Sequence, residues 1–290
     1  MNKPVYILTF DIEEWFNLLD FDATRSVGSW DAFECRIHEN TDRILDLLSK
    51  RKQKATFFCV GWVAERYPEI IKKISDRGFE IASHSCYHQL AYELTKEEFC
   101  DDLQKSIGLL QGITGRPVTC YRVPGFSITR DNSWALDVLV ECGIKFDSSI
   151  FPAPRGHGGF DNFGTDKPVI VETEYGNLKE FPINTVPFFG KRIIFSGGGY
   201  FRLLPYPLIK RFMRQSEYVM TYFHPRDFDS KQPVLDGLSA VRKFKSYYGL
   251  KTAFSKFEKL LDAFEFSDIA TADAKISWQT MKLTDILQRS

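Results

Sequence analysis

The chain has 290 residues, of which 43% are hydrophobic and 15% aromatic, so it is long enough to form one large domain around a buried core. Its 38 Lys and Arg residues balance its 38 Asp and Glu residues, which excludes a protein whose overall charge attracts nucleic acid or an anionic membrane. No run of about eighteen consecutive apolar residues occurs, so no membrane-spanning segment is expected.

The cysteines and the start of the chain indicate a compartment. The six cysteines are scattered and contain no Cys-x-x-Cys pair. The chain enters a strand-like run after Pro4, without the charged, apolar and small-residue regions of a signal peptide. Together these features predict reduced thiols and a cytoplasmic location.

The first half of the chain alternates between short apolar runs and helical spacing. We predict strands over residues 5–10, 55–60, 79–83, 120–123 and 144–147. We predict helices over residues 40–50, 63–76, 96–113 and 131–142, the third beginning with a capping box of Thr95 and Glu98. This alternation is typical of parallel strands joined by crossover helices, in an α/β barrel or an open sheet.

The alternation stops at about residues 150–205, where Gly- and Pro-rich runs are frequent. We interpret this segment as an irregular insert carrying substrate loops, with short strands over 179–183 and 192–195. The pattern then predicts a helix over 207–216, a strand over 218–223, a helix over 254–264 and a closing strand over 266–271. One domain covering residues 1–290 is the simplest organisation.

Two histidines stand four residues apart, His84 and His88, directly after a predicted strand. Four residues make about one helical turn, so two imidazoles at this spacing can point at one zinc-type ion. The alternative is a pair of polar surface groups or helix caps. Cys86, between them, falls on another helical face and is expected to pack.

Other chemically active side chains also follow predicted strands. The C-terminal ends of parallel strands meet at one rim, where α/β proteins place their sites. The side chains expected at this rim are Asp11, Glu13, Glu14, His84, Arg122, Asp147 and His224.

The order of these motifs resembles the polysaccharide deacetylase family, the NodB-homology group known as carbohydrate esterase family 4. The resemblance covers residues 5–226 and rests on Thr9-Phe10-Asp11, His84-Ser-Cys-Tyr-His88, Arg122-Val-Pro-Gly, Asp147-Ser-Ser and His224. Glu13-Glu14-Trp15-Phe16 and residues 196–202 are similar to a branch found in exopolysaccharide and surface-glycan biosynthesis. The resemblance implies a distorted (β/α)7-type barrel and metal-dependent hydrolysis of an acetamide.

The resemblance also implies a ligand set. His84 and His88 would bind a divalent metal, for which zinc is expected from the ligand types. The third ligand would be a carboxylate near Asp11, but Ile12 occupies the family's usual position and cannot ligate. Because residues i and i+2 share a strand face, Glu13 is the predicted ligand, with Glu14 as its rival if the strand has already ended.

The same resemblance implies the remaining roles. Asp11 would be the general base, Arg122 the cation that keeps it ionised, and Gly125 the backbone donor to the oxyanion. His224 would be the general acid, and Asp147 its partner. Each assignment has a structural alternative: a surface ion pair for Arg122, a turn cap for Asp147 and a solvated loop for the two glutamates.

We expect the substrate to be an N-acetylated sugar or glycan intermediate of surface-polysaccharide assembly, with no nucleic acid partner. Trp15, Trp30 and Tyr200 are predicted to stack on sugar rings, the alternative being packing within the loops. Two other functions stay open. One is hydrolysis of a small cyclic amide, as in allantoinases. The other is a non-catalytic glycan-binding module. The departure from the family pattern at Ile12 favours the binding module, and the presence of a candidate base and a candidate acid disfavours it.

Overall fold

The computed structural model describes residues 3–19, 21–154 and 156–289. The strands in these ranges are β1 Val5–Ile7, β2 Thr9–Ile12, β3 Thr56–Cys59, β4 Glu80–Ser83, β5 Cys120–Tyr121, β6 Phe146–Asp147, β7 Val169–Thr173, β8 Gly176–Glu180, β9 Val186–Phe188, β10 Lys191–Ile193, β11 Tyr218–Met220 and β12 Thr280–Lys282. The α-helices are Asp22–Arg25, Ile37–Lys50, Gly61–Arg66, Pro68–Asp76, Lys96–Thr114, Trp134–Glu141, Gly198–Leu203, Tyr206–Gln215, Ala240–Tyr247, Leu250–Ala263, Ile269–Asp273 and Leu283–Leu287.

Parallel strands form the wall of a distorted barrel. β1 pairs with β11, and β2 continues the same wall through β3, β4, β5, β6 and β8. Counting β1 and β2 as one interrupted strand, this gives the seven positions of the predicted (β/α)7-type barrel, so that prediction is confirmed. Side chains join the two edges: the Tyr218 hydroxyl donates to the Pro182 carbonyl, and Met220 N donates to Asn184 Oδ1.

Strands outside this wall belong mainly to the segment interpreted as an irregular insert. β7 pairs antiparallel with β8, and β12 adds to the outer side of β7. β9 and β10 form a separate hairpin. The segment is therefore more regular than its composition indicates, and the eight-stranded sheet contains strands from both halves of the chain.

Local sequence explains where the helices begin and end. Thr95 and Glu98 form the predicted capping box: Glu98 N donates to Thr95 Oγ1, and Thr95 N donates to Glu98 Oε2. The predicted helix over 63–76 is two helices instead, because Tyr67 adopts φ −133° and Pro68 opens the second. Proline restricts the residue before it to extended conformations, which ends the first helix.

The predicted closing strand over 266–271 is wrong. Ser267 makes only one isolated bridge, to Ile7. Asp268 then caps a helix, since its Oδ1 accepts the Thr271 N–H at 2.6 Å. An aspartate three residues before a free backbone N–H favours a helix start over a strand.

Phenylalanines pack between the barrel wall and the helices outside it. Phe10 stacks on Phe57 with ring centroids 5.1 Å apart, and Phe223 packs edge-on against Phe257 at 5.4 Å. All four are buried. Among the described residues no helix combines the length and the apolar character needed to cross a bilayer.

Gly61 fits tightly under the segment that carries the two histidines. A Cβ at Gly61 would lie 2.8 Å from Cys86 Sγ and 2.9 Å from Cys86 Cα. We expect Gly61→Ala to lower the free energy of unfolding by about 1–3 kcal/mol, because the new methyl group overpacks a site walled by backbone. Urea denaturation measures the change.

Gly108 provides the matched control, since a Cβ there would meet nothing within 4 Å. It lies inside the helix Lys96–Thr114, where alanine is favoured over glycine by roughly 0.5–1 kcal/mol. Gly108→Ala should therefore raise the urea midpoint. Equal midpoints for the two variants would contradict the tight fit at Gly61.

Candidate active site

Five of the predicted rim residues come together where four strands of the barrel wall end. Asp11 lies in β2, and Glu13 follows that strand directly. His84 comes directly after β4, and Arg122 directly after β5. His224 lies four residues beyond the end of β11, after the bridge between Phe10 and Phe223 that extends the strand pairing.

Arg122 is fully buried and fixes the position of Asp11. Its Nη1 donates to Asp11 Oδ1 at 2.7 Å and to Thr9 Oγ1 at 2.8 Å. Its Nε and Nη2 donate to the carbonyl and hydroxyl of Ser148, and its guanidinium lies 4.1 Å from the ring centre of Phe58. The alternative interpretation of Arg122, a surface ion pair, is therefore wrong.

Asp11 is held as a carboxylate. Burial raises its pKa, but the opposing charge of Arg122, with smaller contributions from His84 and His224, outweighs burial and lowers the pKa below its ordinary value. Asp11 Oδ1 accepts from Arg122, while Oδ2 faces His224 Nε2 at 3.7 Å.

Glu13, His84 and His88 form a compact buried group. One ligand atom from each lies within 4.8 Å of the others. His88 Nε2 and Glu13 Oε2 are 2.6 Å apart, and Glu13 Oε1 lies 3.8 Å from His224 Nε2. The two histidines therefore converge as predicted, and they do so with Glu13.

The predicted helical turn between the histidines is wrong. Residues 84–90 are irregular, and Ser85 (φ 63°) and His88 (φ 53°) adopt left-handed backbone conformations. Asp102, on the neighbouring helix, holds this segment: its carboxylate accepts the N–H groups of Cys86 at 2.8 Å and Tyr87 at 3.1 Å. Spacing along the sequence found the pair, but the loop is shaped by a residue fourteen positions further on.

The hydrogen bond made by His84 defines its tautomer. His84 Nδ1 lies 2.7 Å from the carbonyl oxygen of Arg122. A carbonyl only accepts, so Nδ1 carries the proton and Nε2 is left with a lone pair. Burial lowers the pKa of His84 to about 4, which keeps the ring neutral at neutral pH.

These residues fit a zinc-type ion by their chemistry. Two imidazole nitrogens and one carboxylate are a donor set that zinc uses in catalytic sites, where three protein ligands leave a position open. The bond from His84 Nδ1 to a backbone carbonyl is the kind of outer contact that orients metal-binding histidines. Among the described residues this is the group with such a geometry.

Glu14, the rival ligand, points elsewhere. Its Oε1 accepts the N–H groups of Arg36 at 2.8 Å and Ile37 at 3.0 Å, at the start of the helix Ile37–Lys50. Burial raises the pKa of Glu14 above its ordinary value, although these N–H groups oppose the shift. Glu14 thus caps the helix Ile37–Lys50, although it lies more than twenty residues before it in the sequence. It is outside the group formed by Glu13, His84 and His88.

His224 has a different partner from the predicted one. Its Nδ1 lies 2.9 Å from Asp227 Oδ2, and Asp227 Oδ1 lies 3.2 Å from Arg202 Nε. Burial lowers the pKa of His224, but the nearby carboxylates of Glu13 and Asp227 outweigh burial and raise the pKa to about 9. His224 is therefore an imidazolium at neutral pH.

The pairing of Asp147 with His224 is wrong. Asp147 Oδ1 accepts the Ser149 hydroxyl at 2.6 Å, and its carboxyl neighbours that of Glu180, whose pKa burial raises well above the ordinary value. Ser148, next in sequence, contacts Arg122, so this pair of acids lies behind the arginine. The sequence held a signal for the true partner, an aspartate three residues after the histidine in His224-Pro-Arg-Asp227.

The prediction of sugar stacking is wrong for two of the three residues. Trp15 and Trp30 are 4% and 3% exposed, and their indole N–H groups donate to the carbonyls of Glu34 and Thr24. They pack in an aromatic cluster, as the alternative held. Tyr200 is exposed at 48%, on the helix Gly198–Leu203.

Gly125 lies in the turn Pro124–Phe126 with a left-handed backbone, φ 65°. A Cβ there would lie 2.7 Å from Leu19 Cδ1, so glycine suits this position. Donation of its N–H to an oxyanion stays a prediction.

Comparison with known proteins gives two family matches. The model of the polysaccharide deacetylases matches residues 1–146, and a domain of unknown function, DUF3473, matches residues 148–274. The chain is 31% identical over 108 residues to a peptidoglycan deacetylase of Helicobacter pylori, covering 37% of this chain and 36% of that protein. It is 31% identical over 100 residues to a peptidoglycan-N-acetylglucosamine deacetylase of Bacillus cereus, covering 34% of this chain and 36% of that protein.

A solved structure shares the fold over nearly the whole chain. A protein of Mycobacterium smegmatis assigned to the polysaccharide deacetylases superposes with a TM-score of 0.65 and 20% identity, covering 97% of this chain and 94% of that one. The curated relatives, by contrast, are matched over little more than a third of their own length. Because the family model spans just over half of the 290 residues, from 1 to 146, the chain belongs to the polysaccharide deacetylase family.

Proposed function

We propose that this protein is a metal-dependent hydrolase that removes the N-acetyl group of an amino sugar during the assembly of a surface polysaccharide. One observation carries the proposal: the group of Glu13, His84 and His88 adjoins both a buried carboxylate, Asp11, and an imidazolium, His224. A base, an acid and a ligand set in contact are what hydrolysis of an acetamide needs.

Glu13, His84 and His88 would hold the divalent ion, and zinc is the proposed metal. Such an ion supplies Lewis-acid activation of the acetamide carbonyl and of water. The protein also orients the ligands. The Arg122 carbonyl accepts the N–H of His84 Nδ1, and the Asp102 carboxylate holds the loop between the two histidines.

Asp11 acts as the general base. Its carboxylate is ionised and its orientation is fixed by Arg122, so it can take a proton from the attacking water. The water oxygen bonds to the carbonyl carbon, and the Gly125 N–H is the proposed donor to the oxyanion that forms.

His224 acts as the general acid. When the C–N bond breaks, the proton on its Nε2 passes to the amine nitrogen, and the products are acetate and a free amino sugar. Asp227 is a positioning residue: it holds Nδ1 and keeps the ring charged between turnovers.

The substrate class and the cellular setting are proposed from the relatives and from sequence patterns. The named relatives act on N-acetylated sugars of peptidoglycan, which supports an N-acetylated sugar as the substrate. Surface-polysaccharide assembly rests on the sequence patterns around Glu13 and residues 196–202. A cytoplasmic location rests on the six scattered cysteines, which contain no Cys-x-x-Cys pair.

The direct test is acetate release from nucleotide-linked, lipid-linked and oligomeric N-acetylhexosamines, using zinc-loaded and chelator-treated protein. We expect acetate from at least one class, and only with metal present. Metal binding without acetate from any class would overturn the deacetylase assignment in favour of a cyclic amide substrate. Absence of both would favour a glycan-binding module.

Asp11→Asn should keep zinc affinity but reduce turnover by about 10²–10⁴-fold, because the amide cannot accept the proton. Calorimetric zinc titration and acetate release measure the two effects separately. An Asp11→Asn protein with wild-type turnover would remove Asp11 from the role of base.

Asp227→Asn should lower the pKa of His224 from about 9 towards its ordinary value, because a negative charge beside Nδ1 is lost. Titration of the ring by NMR in metal-free protein reads this directly, alongside turnover in the zinc form. Asp229→Asn is the matched control, since Asp229 contacts Arg36 and Asn40 and not His224. An unchanged His224 pKa in Asp227→Asn would refute the positioning role.

Glu13→Gln should weaken zinc binding by at least about 10–100-fold, the range seen when even outer contacts of a metal site are lost. Glu14→Gln should leave zinc affinity unchanged, because the amide oxygen can still accept the N–H groups of Arg36 and Ile37. The reverse order would move the carboxylate ligand to Glu14.

A further inference from the structure

Positive charge is concentrated in two stretches of a chain whose overall charge is zero. Residues 181–216 contain no Asp or Glu, and residues 237–257 contain none either. The basic residues in the two stretches are Lys191, Arg192, Arg202, Lys210, Arg211, Arg214, Arg242, Lys243, Lys245, Lys251 and Lys256. The rest of the chain is therefore net acidic, and the molecule has a charge asymmetry that the total conceals.

Exposed apolar side chains are concentrated in the same stretches. On the helix Ala240–Tyr247 and the residue after it, Val241 is 66% exposed, Phe244 51% and Tyr248 48%. On the helix Gly198–Leu203, Tyr200 is 48% exposed and Leu203 49%. Val241, Phe244 and Tyr248 are spaced three and four residues apart, so they share one face of their helix. We call these five residues the apolar face.

Arg202 joins the two helices. Its Nη1 donates to the carbonyls of Ser246 at 2.8 Å and Tyr248 at 3.1 Å, and its Nη2 donates to that of Lys245 at 2.9 Å. Gly249 also lies against Arg202, since a Cβ there would be 2.8 Å from the Arg202 carbonyl oxygen. The exposed side chains of both helices thus belong to one rigid unit.

Lysines flank the apolar face. Lys243, Lys245 and Lys251 are exposed and alternate with the apolar residues along the chain. Phe244 and Tyr248 pack against each other, with ring centroids 4.7 Å apart, and still leave about half of each side chain in solvent. A short amphipathic helix with aromatic residues on one side and lysines around them is typical of segments that lie in the interface of an anionic bilayer.

We infer that the apolar face is a docking surface for an anionic membrane. The aromatic and aliphatic side chains would enter the headgroup region, and the lysines would contact anionic lipid. A soluble acidic glycan matches the lysines but leaves the exposed apolar side chains without a function, so the membrane accounts for more of the face.

The apolar face lies next to the candidate active site. Arg202, which joins its two helices, also contacts Asp227, the partner of His224, through Nε and Oδ1 at 3.2 Å. Docking would hold the acid side of the site beside the bilayer. It follows, resting on the proposed function, that the amino sugar is presented at the membrane on a lipid carrier.

Vesicle co-sedimentation tests the docking without using activity. The protein should bind vesicles of phosphatidylcholine mixed with phosphatidylglycerol, should not bind phosphatidylcholine alone, and should be released as salt is raised. Phe244→Asp should reduce binding by at least about tenfold, because it replaces an aromatic ring that would enter the headgroup region with a charge that anionic lipid repels. Paired Lys243→Glu and Lys245→Glu changes should reduce it without altering an apolar residue.

Tyr175→Ser is the matched control and should bind like the wild type. Tyr175 is 54% exposed, a fraction similar to the 51% of Phe244. It lies in the turn between β7 and β8, beside Glu174. Equal binding to neutral and anionic vesicles, no binding to either, or unchanged binding by Phe244→Asp would overturn the proposal. Tight binding of dextran sulfate that Phe244→Asp does not weaken would also overturn it, in favour of an acidic glycan.

Acetate release from a water-soluble N-acetyl sugar separates this inference from the proposed function. Phe244 contacts none of the rim residues described above, so Phe244→Asp should keep wild-type turnover on that substrate. Loss of vesicle binding with full turnover places the effect at the membrane face. Absence of turnover in every variant, with vesicle binding intact, would contradict the deacetylase and leave the docking surface standing.

Discussion

Arg122 has no exposure to solvent, and the energetic cost of burying its charge constrains the structure around it. Removing an ion from water costs several kcal/mol even after the protein relaxes, and the cost is offset only by an opposite charge and well-formed hydrogen bonds. Here Asp11 supplies the charge, and Thr9 and Ser148 accept three further N–H groups. These residues come from β2 and from the segment after β6, so the arginine ties together strands that are not neighbours in the wall.

The same residue orients the metal side of the site. The guanidinium of Arg122 holds the proposed base, while its backbone carbonyl holds Nδ1 of His84 and so exposes Nε2. A shift of this one residue would therefore move the base and a ligand together. Asp102 and Asp227 complete the pattern, although neither contacts a reacting atom in the proposed mechanism: Asp227 holds Nδ1 of the proposed acid, and Asp102 holds the loop between the two histidines.

The sequence predicted the residues that gather at the rim because strand ends are readable from short apolar runs. It placed Asp11, Glu13, His84, Arg122 and His224 together, and the structure brings them together. It failed where a contact depends on how distant segments pack.

Two failures show the cause. Four-residue spacing indicated a helix at His84, yet the loop takes its shape from a carboxylate on the helix Lys96–Thr114 and from Gly61 beneath it. A family pattern assigned Asp147 to His224, but Ser149 and Glu180 occupy that carboxyl, while an aspartate one turn beyond His224 lies closer. Composition does not show how charge is distributed: the equal totals of acids and bases conceal two acid-free stretches, which fold against each other through Arg202. Because Arg202 also contacts Asp227, the side of the molecule that carries the apolar face and its lysines is the side that holds the proposed acid, and any surface that attracts it brings that acid close.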